Sequence, residues 1–511
     1  MVASSGQGAR SAGSGSVAAV DLGATSGRVM VGHVDRERVQ LEQIARFPNE
    51  PIELWEDHRS ALHWNLPSLF AEALDGLRVA VERADREAEL LASIGVDSWA
   101  VDYALLQGGR MVGLPYHYRD ARHTQGVATV QRAMDPAELY QRTGLQHLPF
   151  NTVFQMAADP LVHAADRALL IPDLVGYWLT GQAAAETTNA STTGLRNART
   201  GMWDPAIRAA AHVPTGLLPV LRSPGDALGE LLPSVHAQLG APASLGVTLV
   251  GSHDTASAVV AVPATDPDFA YISSGTWSLV GVELERPILT AAASASNCTN
   301  EGGVDGRVRF LKNVSGLWLL SQSIRTWERA GHTIDLEALL TAAADVTDPV
   351  PLFDTMDERF TPPGDIPERI DAWCREHDIA PPTSPAEHVR SILESLAAAY
   401  ADTVEALERV TGRAIRVVHV VGGGAQNALL CQLTADRTER PVLAGPVEAT
   451  ALGNVLVQAR AAGLGGLAGA SLDALRSRVA RSVRLVRYLP RASRLAQRTP
   501  ATRPDSVRNS V

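Results

Sequence analysis

The chain has 511 residues, 45% of them hydrophobic and 20% charged, a globular composition long enough for two large domains. A net charge of −11 disfavours nucleic acid or an anionic membrane as the main partner, and no apolar run approaches the roughly 20 residues of a membrane span. Three widely spaced cysteines, Cys298, Cys374 and Cys431, make neither a disulfide framework nor a metal-ligand pattern, which predicts a reducing, cytoplasmic setting.

Residues 1–16 are small and polar, lack the apolar core of a signal peptide, and are expected to form a disordered leader. The next stretch, VAAVDLGATSGRVMVGHV (17–34), reads as strand, tight turn, strand. A turn of Gly23, Ala24, Thr25, Ser26 and Gly27 can aim backbone N–H groups outward and wrap a phosphate. Asp21 beside it would repel a bare phosphate, so a cation between them, with Mg²⁺ the natural choice, completes the arrangement. An ordinary glycine hairpin is the competing reading. No lysine follows the glycines and no helix follows the turn, so this is not a P-loop.

A helix is predicted near Pro67–Arg86, a strand near Leu91–Val96, a helix near Pro172–Leu179 and a strand over Val247–Val250. Asp254 then stands where strand hands over to helix. It reads either as a helix N-cap or as a general base that takes a proton from an attacking hydroxyl, with His253 and Thr255 beside it able to bind a polyol. Strands alternating with helices give an α/β first domain over about 17–260.

The second domain, 261–490, opens in the same manner: strand 269–273, a Gly275-Thr276 turn, strand 277–282. This weak internal symmetry suggests two related lobes with a nucleotide between them. Residues 345–383, rich in Pro and Asp, are expected to contribute little regular core. A helix over about 385–410 and a strand over 416–421 lead to Gly422, Gly423 and Gly424 before a helix, an anion and nucleotide platform. In GPVEATALGNVLVQA another helix begins, in which Gly453 could admit a flat ring. Arg476–Arg508 carries ten arginines against one acid, read as a solvated helix followed by a basic disordered tail, 491–511.

The segments AVDLGATSGRVM (19–30), IGVDSWAVDYALL (94–106), SHDTASAVV (252–260), YISSGTWSLVG (271–281), TNEGG (299–303), LKNVSGLWLL (311–320), HVVGGGAQN (419–427) and GPVEATALGN (445–454) resemble, in order, those of FGGY-family carbohydrate kinases. The resemblance implies two ribonuclease-H-like (actin-like ATPase) domains around a central cleft. It is strongest to members acting on L-rhamnulose, implying ATP-dependent phosphorylation to L-rhamnulose 1-phosphate. Asp254 would be the proton acceptor. Ala24, Thr25, Ser26, Gly27, Arg28, Thr276 and Gly423 would contact ATP. Ala100, His253, Thr255 and Asn313 would hold the sugar, and Asp21 would hold Mg²⁺. Partners would be the sugar and ATP alone. Two positions depart from the family: Ala100 stands where a glycine is usual, and Ser321 where a nucleotide-contacting glutamine is usual, with Gln322 one residue on.

Overall fold

The computed structural model describes residues 13–491 apart from 57, 88, 90 and 243. Most of the expected leader (1–12) and tail (492–511) therefore lies outside the described residues. Counting only the strands of the two large sheets, the first contains β1 (Gly15–Leu22), β2 (Ser26–Val34), β3 (Val39–Pro48), β4 (Leu91–Ser98), β5 (Ala227–Glu230) and β6 (Gly246–Thr248), ordered β5-β6-β4-β1-β2-β3. Its first strand starts inside the stretch expected to be leader, because Gly15 and Ser16 pair with Val34 and His33.

The second sheet contains β7 (Phe269–Ser274), β8 (Trp277–Leu284), β9 (Thr299–Gly302), β10 (Val308–Ser315), β11 (Val417–Val421), β12 (Val442–Ala444) and β13 (Val486–Tyr488), ordered β9-β10-β8-β7-β11-β12-β13. In each sheet three antiparallel strands, β1-β2-β3 in the first and β7-β8-β10 in the second with β9 added at the edge, are followed by a strand parallel to the first of them: β1 with β4, β7 with β11. The internal symmetry of the sequence is thus a repeated topology. Two ribonuclease-H-like sheets face a common cleft.

Helix α1 (Leu66–Arg86) covers the first sheet. Asn65 caps it by accepting from the Ser68 N–H, Pro67 occupies its first turn, and Leu66, Leu69, Ala73, Leu74, Leu77 and Val81 form its buried stripe. Each buried leucine contributes about 1.5–3 kcal/mol. Helix α3 (Pro385–Thr411), capped by Ser384, does the same for the second sheet and ends at Gly412, whose φ of 69° suits glycine.

Helices α2 (Asp254–Val260) and α4 (Ala449–Ala461) join the two halves. They share one core with β1, β2 and β7 through Ala19, Tyr271, Val259 and Val455. Although α4 lies between β12 and β13 of the second sheet in sequence, it rests on the first: Asn454 Nδ2 donates to Asp97 at 2.5 Å and Gln458 Nε2 to the Ala18 carbonyl at 3.0 Å. Gly453 does not admit a ring. A Cβ there would run into the Ser257 carbonyl on α2, so the glycine lets two helices cross closely.

Two further expectations need correction. Residues 345–383 place Phe360, Ile366, Ile370, Trp373 and Cys374 in the second lobe's core. Several of their acids and prolines are helix-start signals, with Asp357 and Asp365 capping and Pro367 in a first turn. The basic helix Leu472–Ser482 is not uniformly solvated. Arg476 is buried against Glu283 at 2.6 Å and donates to the Val259 carbonyl, while Arg478 is buried and donates to the Gly465 carbonyl.

Candidate active site

A cavity of about 320 Å³ opens between the sheets. Every residue expected to touch substrate or metal lines it except Gly27. At Gly27 a Cβ would enter the Phe47 ring, so this glycine is required by packing of β2 on β3 and does not face the cleft. The turn before it is closed by the Gly23 N–H donating to the Ser26 carbonyl at 3.0 Å and steadied by Asn49 Nδ2 on the Gly23 carbonyl at 2.7 Å. Ala24, Thr25 and Ser26 are thereby presented to the cavity on a fixed backbone.

Arg28 follows. Its guanidinium lies 3.2 Å from Asp21 Oδ2 and pairs with Glu448 from the loop before α4. Asp21 sits opposite Asp97 on the paired strands β1 and β4. Burial pushes the Asp21 carboxyl up to about 6, against the pull of Arg28, and the Asp254 and Glu448 charges push the same way as burial. Burial and Asp21 together hold Asp97 well above the usual carboxylate range. Asp21 Oδ2 and Asp97 Oδ1 are buried without a hydrogen bond. Two crowded, under-satisfied carboxylate oxygens beside a phosphate-type turn fit a divalent cation that takes its remaining ligands from phosphate and water. Among the described residues no three His, Cys, Asp or Glu form a protein-only metal cage.

Across the cavity, His253 is the N-cap of α2 and Asp254 its first helical residue, so Asp254 is not the cap. Its Oδ1 accepts from Thr255 N–H at 2.5 Å and Thr255 Oγ1 at 3.1 Å, and lies 3.4 Å from His253 Nε2. The side chain is 30% exposed and lines the cavity. The loop before it is pinned by Glu186, whose buried Oε2 accepts from Ser252 N–H at 3.0 Å and Ser252 Oγ at 2.7 Å.

The wall beside Asp254 is polar and aromatic: Trp99, Ala100, Thr255, Gln146 and Asn313. Gln146 Oε1 accepts from the backbone N–H and Nδ2 of Asn313, at 2.8 and 3.1 Å, which fixes Asn313 across the lobes. Asp102, fully buried, accepts from the indole N–H groups of Trp64 and Trp99, from Tyr118 N–H and from Gln155 Nε2. This holds the turn carrying Ala100. Val101 in the same turn has φ 66°, an uncommon and strained value for a β-branched residue, kept in place by Thr152 Oγ1 on its carbonyl at 2.6 Å.

From the second lobe come Thr276 and Gly423. The three glycines after β11 differ in role. Gly422 has φ 82°, Gly424 leaves no room for a Cβ beside Ser274 Oγ, and Gly423 has open space before it. Neither Ser321, exposed, nor Gln322, buried, is among the cavity residues. Sequence reasoning missed Asp97, Gln146, Glu301 and Glu448 at this site. Asp97 carried a legible signal, a carboxylate ending a strand as Asp21 does. Gln146 and Glu301 carried none that spacing could reveal.

With that geometry, the comparisons are consistent. The profile of the FGGY family of carbohydrate kinases, N-terminal domain, matches residues 16–261, and that of the C-terminal domain matches 270–462. The chain is 43% identical over 485 residues to the rhamnulokinase of Pectobacterium carotovorum, covering 93% of each. It is 39% identical over 479 residues to that of Bacteroides thetaiotaomicron, covering 92% of this chain and 95% of the relative. Among solved structures, a ligand-bound xylulose kinase from Lactobacillus acidophilus superposes with a TM-score of 0.72 at 15% identity, covering 93% of this chain and 94% of its own. Glycerol kinase from Plasmodium falciparum with ADP superposes with a TM-score of 0.71 at 14% identity, covering 92% of this chain and 93% of its own. The chain belongs to the FGGY family of carbohydrate kinases.

Proposed function

We propose that the chain transfers the γ-phosphoryl group of ATP to L-rhamnulose, giving L-rhamnulose 1-phosphate, with Asp254 as the proton acceptor. The observation that carries the reading is Asp254: a carboxylate whose Oδ1 is tied to the start of its own helix, standing between the glycine-rich turn of β1–β2 and a polar wall. The rhamnulokinase relatives, about 40% identical over most of the chain, supply the sugar.

In this reading Ala24, Thr25, Ser26 and Arg28 receive the phosphates, Thr276 and Gly423 the remainder of the nucleotide, and Ala100, His253, Thr255 and Asn313 the sugar. Asp254 Oδ2 takes the proton of the C1 hydroxyl as that oxygen bonds to the γ-phosphorus. The bond from the γ-phosphorus to the β,γ-bridging oxygen breaks and ADP leaves. Mg²⁺, held from the side of Asp21 and Asp97, would neutralise charge on the phosphates. Orientation by the walls and exclusion of water supply the rest of the rate.

An ADP-release assay over L-rhamnulose, L-fuculose, pentuloses and glycerol tests the substrate. The highest kcat/KM is expected for L-rhamnulose, and a much higher value for any other sugar overturns that assignment. Ala100 is the residue that makes the panel informative, since its methyl occupies the cavity wall. Asp254→Asn is expected to lower kcat by at least about 10²-fold with ATP binding retained. Wild-type turnover in that variant removes Asp254 from the chemistry.

A further inference from the structure

Behind His253 lies a buried charged pair to which no role has been given. Glu301 on β9 and Arg309 on β10 face each other in register, and Arg309 has no exposed surface. Its Nη2 lies 3.1 Å from Glu301 Oε2, and its Nε donates to the Gly302 carbonyl at 2.8 Å. The same Nη2 is 2.9 Å from His253 Nδ1, while Glu301 Oε2 is 3.3 Å from that nitrogen without hydrogen-bond geometry.

Two assignments of the imidazole are open in principle. If Nδ1 carried the proton, it would face the Arg309 N–H, donor against donor, and the lone pair on Nε2 would face the Asp254 carboxylate, acceptor against acceptor. If Nε2 carries it, Arg309 donates to Nδ1 and Nε2–H points at Asp254 Oδ1, 3.4 Å away. A guanidinium has only donors, so only the second arrangement satisfies the 2.9 Å contact with Arg309 and turns a donor toward Asp254, whereas the first keeps only the 3.3 Å approach of Nδ1 to Glu301. Glu301 supplies the counter-charge. Burial would raise its carboxyl, but Arg309, His253 and Asn313 together outweigh burial and hold it below the usual range. Leaving such a guanidinium unpaired in the interior would be costly.

We propose that Arg309 and Glu301 form a positioning pair that fixes the His253 tautomer and, through Nε2–H, the orientation of Asp254. Oδ1 then accepts from Thr255 N–H and Thr255 Oγ1, with the His253 Nε2–H facing it from 3.4 Å. Oδ2 is left to take the proton of the incoming alcohol. The inference rests on the reading of Asp254 as the base.

The test is a long-range ¹H–¹⁵N spectrum of the full-length protein labelled at histidine, with the His253 signals assigned from their loss in His253→Gln. The expected result is a protonated Nε2 and an unprotonated Nδ1. Arg309→Met is expected to lose that preference and to lower kcat by about tenfold or more, with the KM for ATP within about twofold. Arg309→Lys, which keeps a donor, is expected to recover part of kcat and the wild-type tautomer. A wild-type spectrum with the proton on Nδ1, or a folded Arg309→Met with unaltered kcat, overturns the proposal. Should both Arg309 variants fail to fold, the wild-type spectrum decides alone. It needs no turnover, so an absence of activity on every sugar in the panel would count against the proposed function and leave the tautomer result standing.

Discussion

Asp102 offers a perturbation whose size follows from the structure. Its carboxylate is fully buried beneath the Trp99–Ala100 turn and accepts four N–H donors: Trp64 Nε1 at 2.6 Å, Trp99 Nε1 at 3.0 Å, Gln155 Nε2 at 3.0 Å and Tyr118 N–H at 3.2 Å. Burial raises its pKa from 3.8 to about 6, with the Gln155, Trp64 and Trp99 hydrogen bonds opposing. The folded value lies above the unfolded one, so the fold favours the protonated acid. The associated stability is complete below about pH 4 and is lost as the pH rises through about 6. A rise of that size corresponds to about 3 kcal/mol. Asp102→Asn presents a neutral amide throughout and resembles the protonated acid. Its stability relative to wild type should therefore climb by about 3 kcal/mol between pH 4 and pH 7. Urea denaturation of both proteins across that range measures it. Parallel stability curves would mean that the four donors cancel the burial penalty, and the reasoning would fail.

Other predictions bear on the cleft. Gly453→Ala drives a Cβ into the Ser257 carbonyl, three residues from Asp254 on the same helix. Overpacking there should cost at least about 1–3 kcal/mol and lower kcat, read from thermal unfolding and steady-state kinetics, and an unchanged Tm would refute the close crossing. Asp21→Asn should raise the Mg²⁺ concentration required for half-maximal turnover severalfold, measured by titrating Mg²⁺ at fixed ATP. A wild-type requirement would take Asp21 out of the cation site. Arg119 bridges the lobes: its guanidinium lies 4.0 Å from the Trp318 ring centroid and donates to the Thr361 carbonyl. Removing a desolvated cation–π contact of about 2 kcal/mol in Arg119→Ala should raise the KM for sugar by roughly tenfold or more and expand the particle seen by solution scattering. Unaltered KM and radius would count against a latch.

What the sequence made legible was local. A run of apolar residues ending in Asp21, a small-residue turn, and Asn65 or Ser384 before a periodic stripe each carry their meaning within a few positions. The cavity lining was legible to the same extent, through Asp254 and the turn of residues 24–26, while Asn313 came only with the family resemblance. The remainder depended on which distant residue lies across the cleft. Gly27 and Gly453 look like ligand-facing glycines until Phe47 and Ser257 are found against them. Arg476 looks like one more solvated arginine until Glu283 is found beneath it. Glycine and arginine suit several environments, so their type alone does not choose among them.

The same limit explains how the cleft accommodates so many carboxylates. Asp21, Asp97, Asp254 and Glu448 crowd one region: Asp254 raises the cost of ionising both Asp21 and Asp97, Glu448 that of Asp21, and Asp21 that of Asp97. Arg28 lies among them, touching Asp21 and Glu448. Two of their oxygens, Asp21 Oδ2 and Asp97 Oδ1, remain without a hydrogen bond. Carboxylates therefore crowd the first lobe's side of the cleft, whereas behind His253 Glu301 faces the counter-charge of Arg309. A divalent cation arriving with a nucleotide would relieve that crowding without disturbing the pair. In the proposed reading the first region would receive Mg²⁺ and phosphate, and the second would keep Asp254 in place.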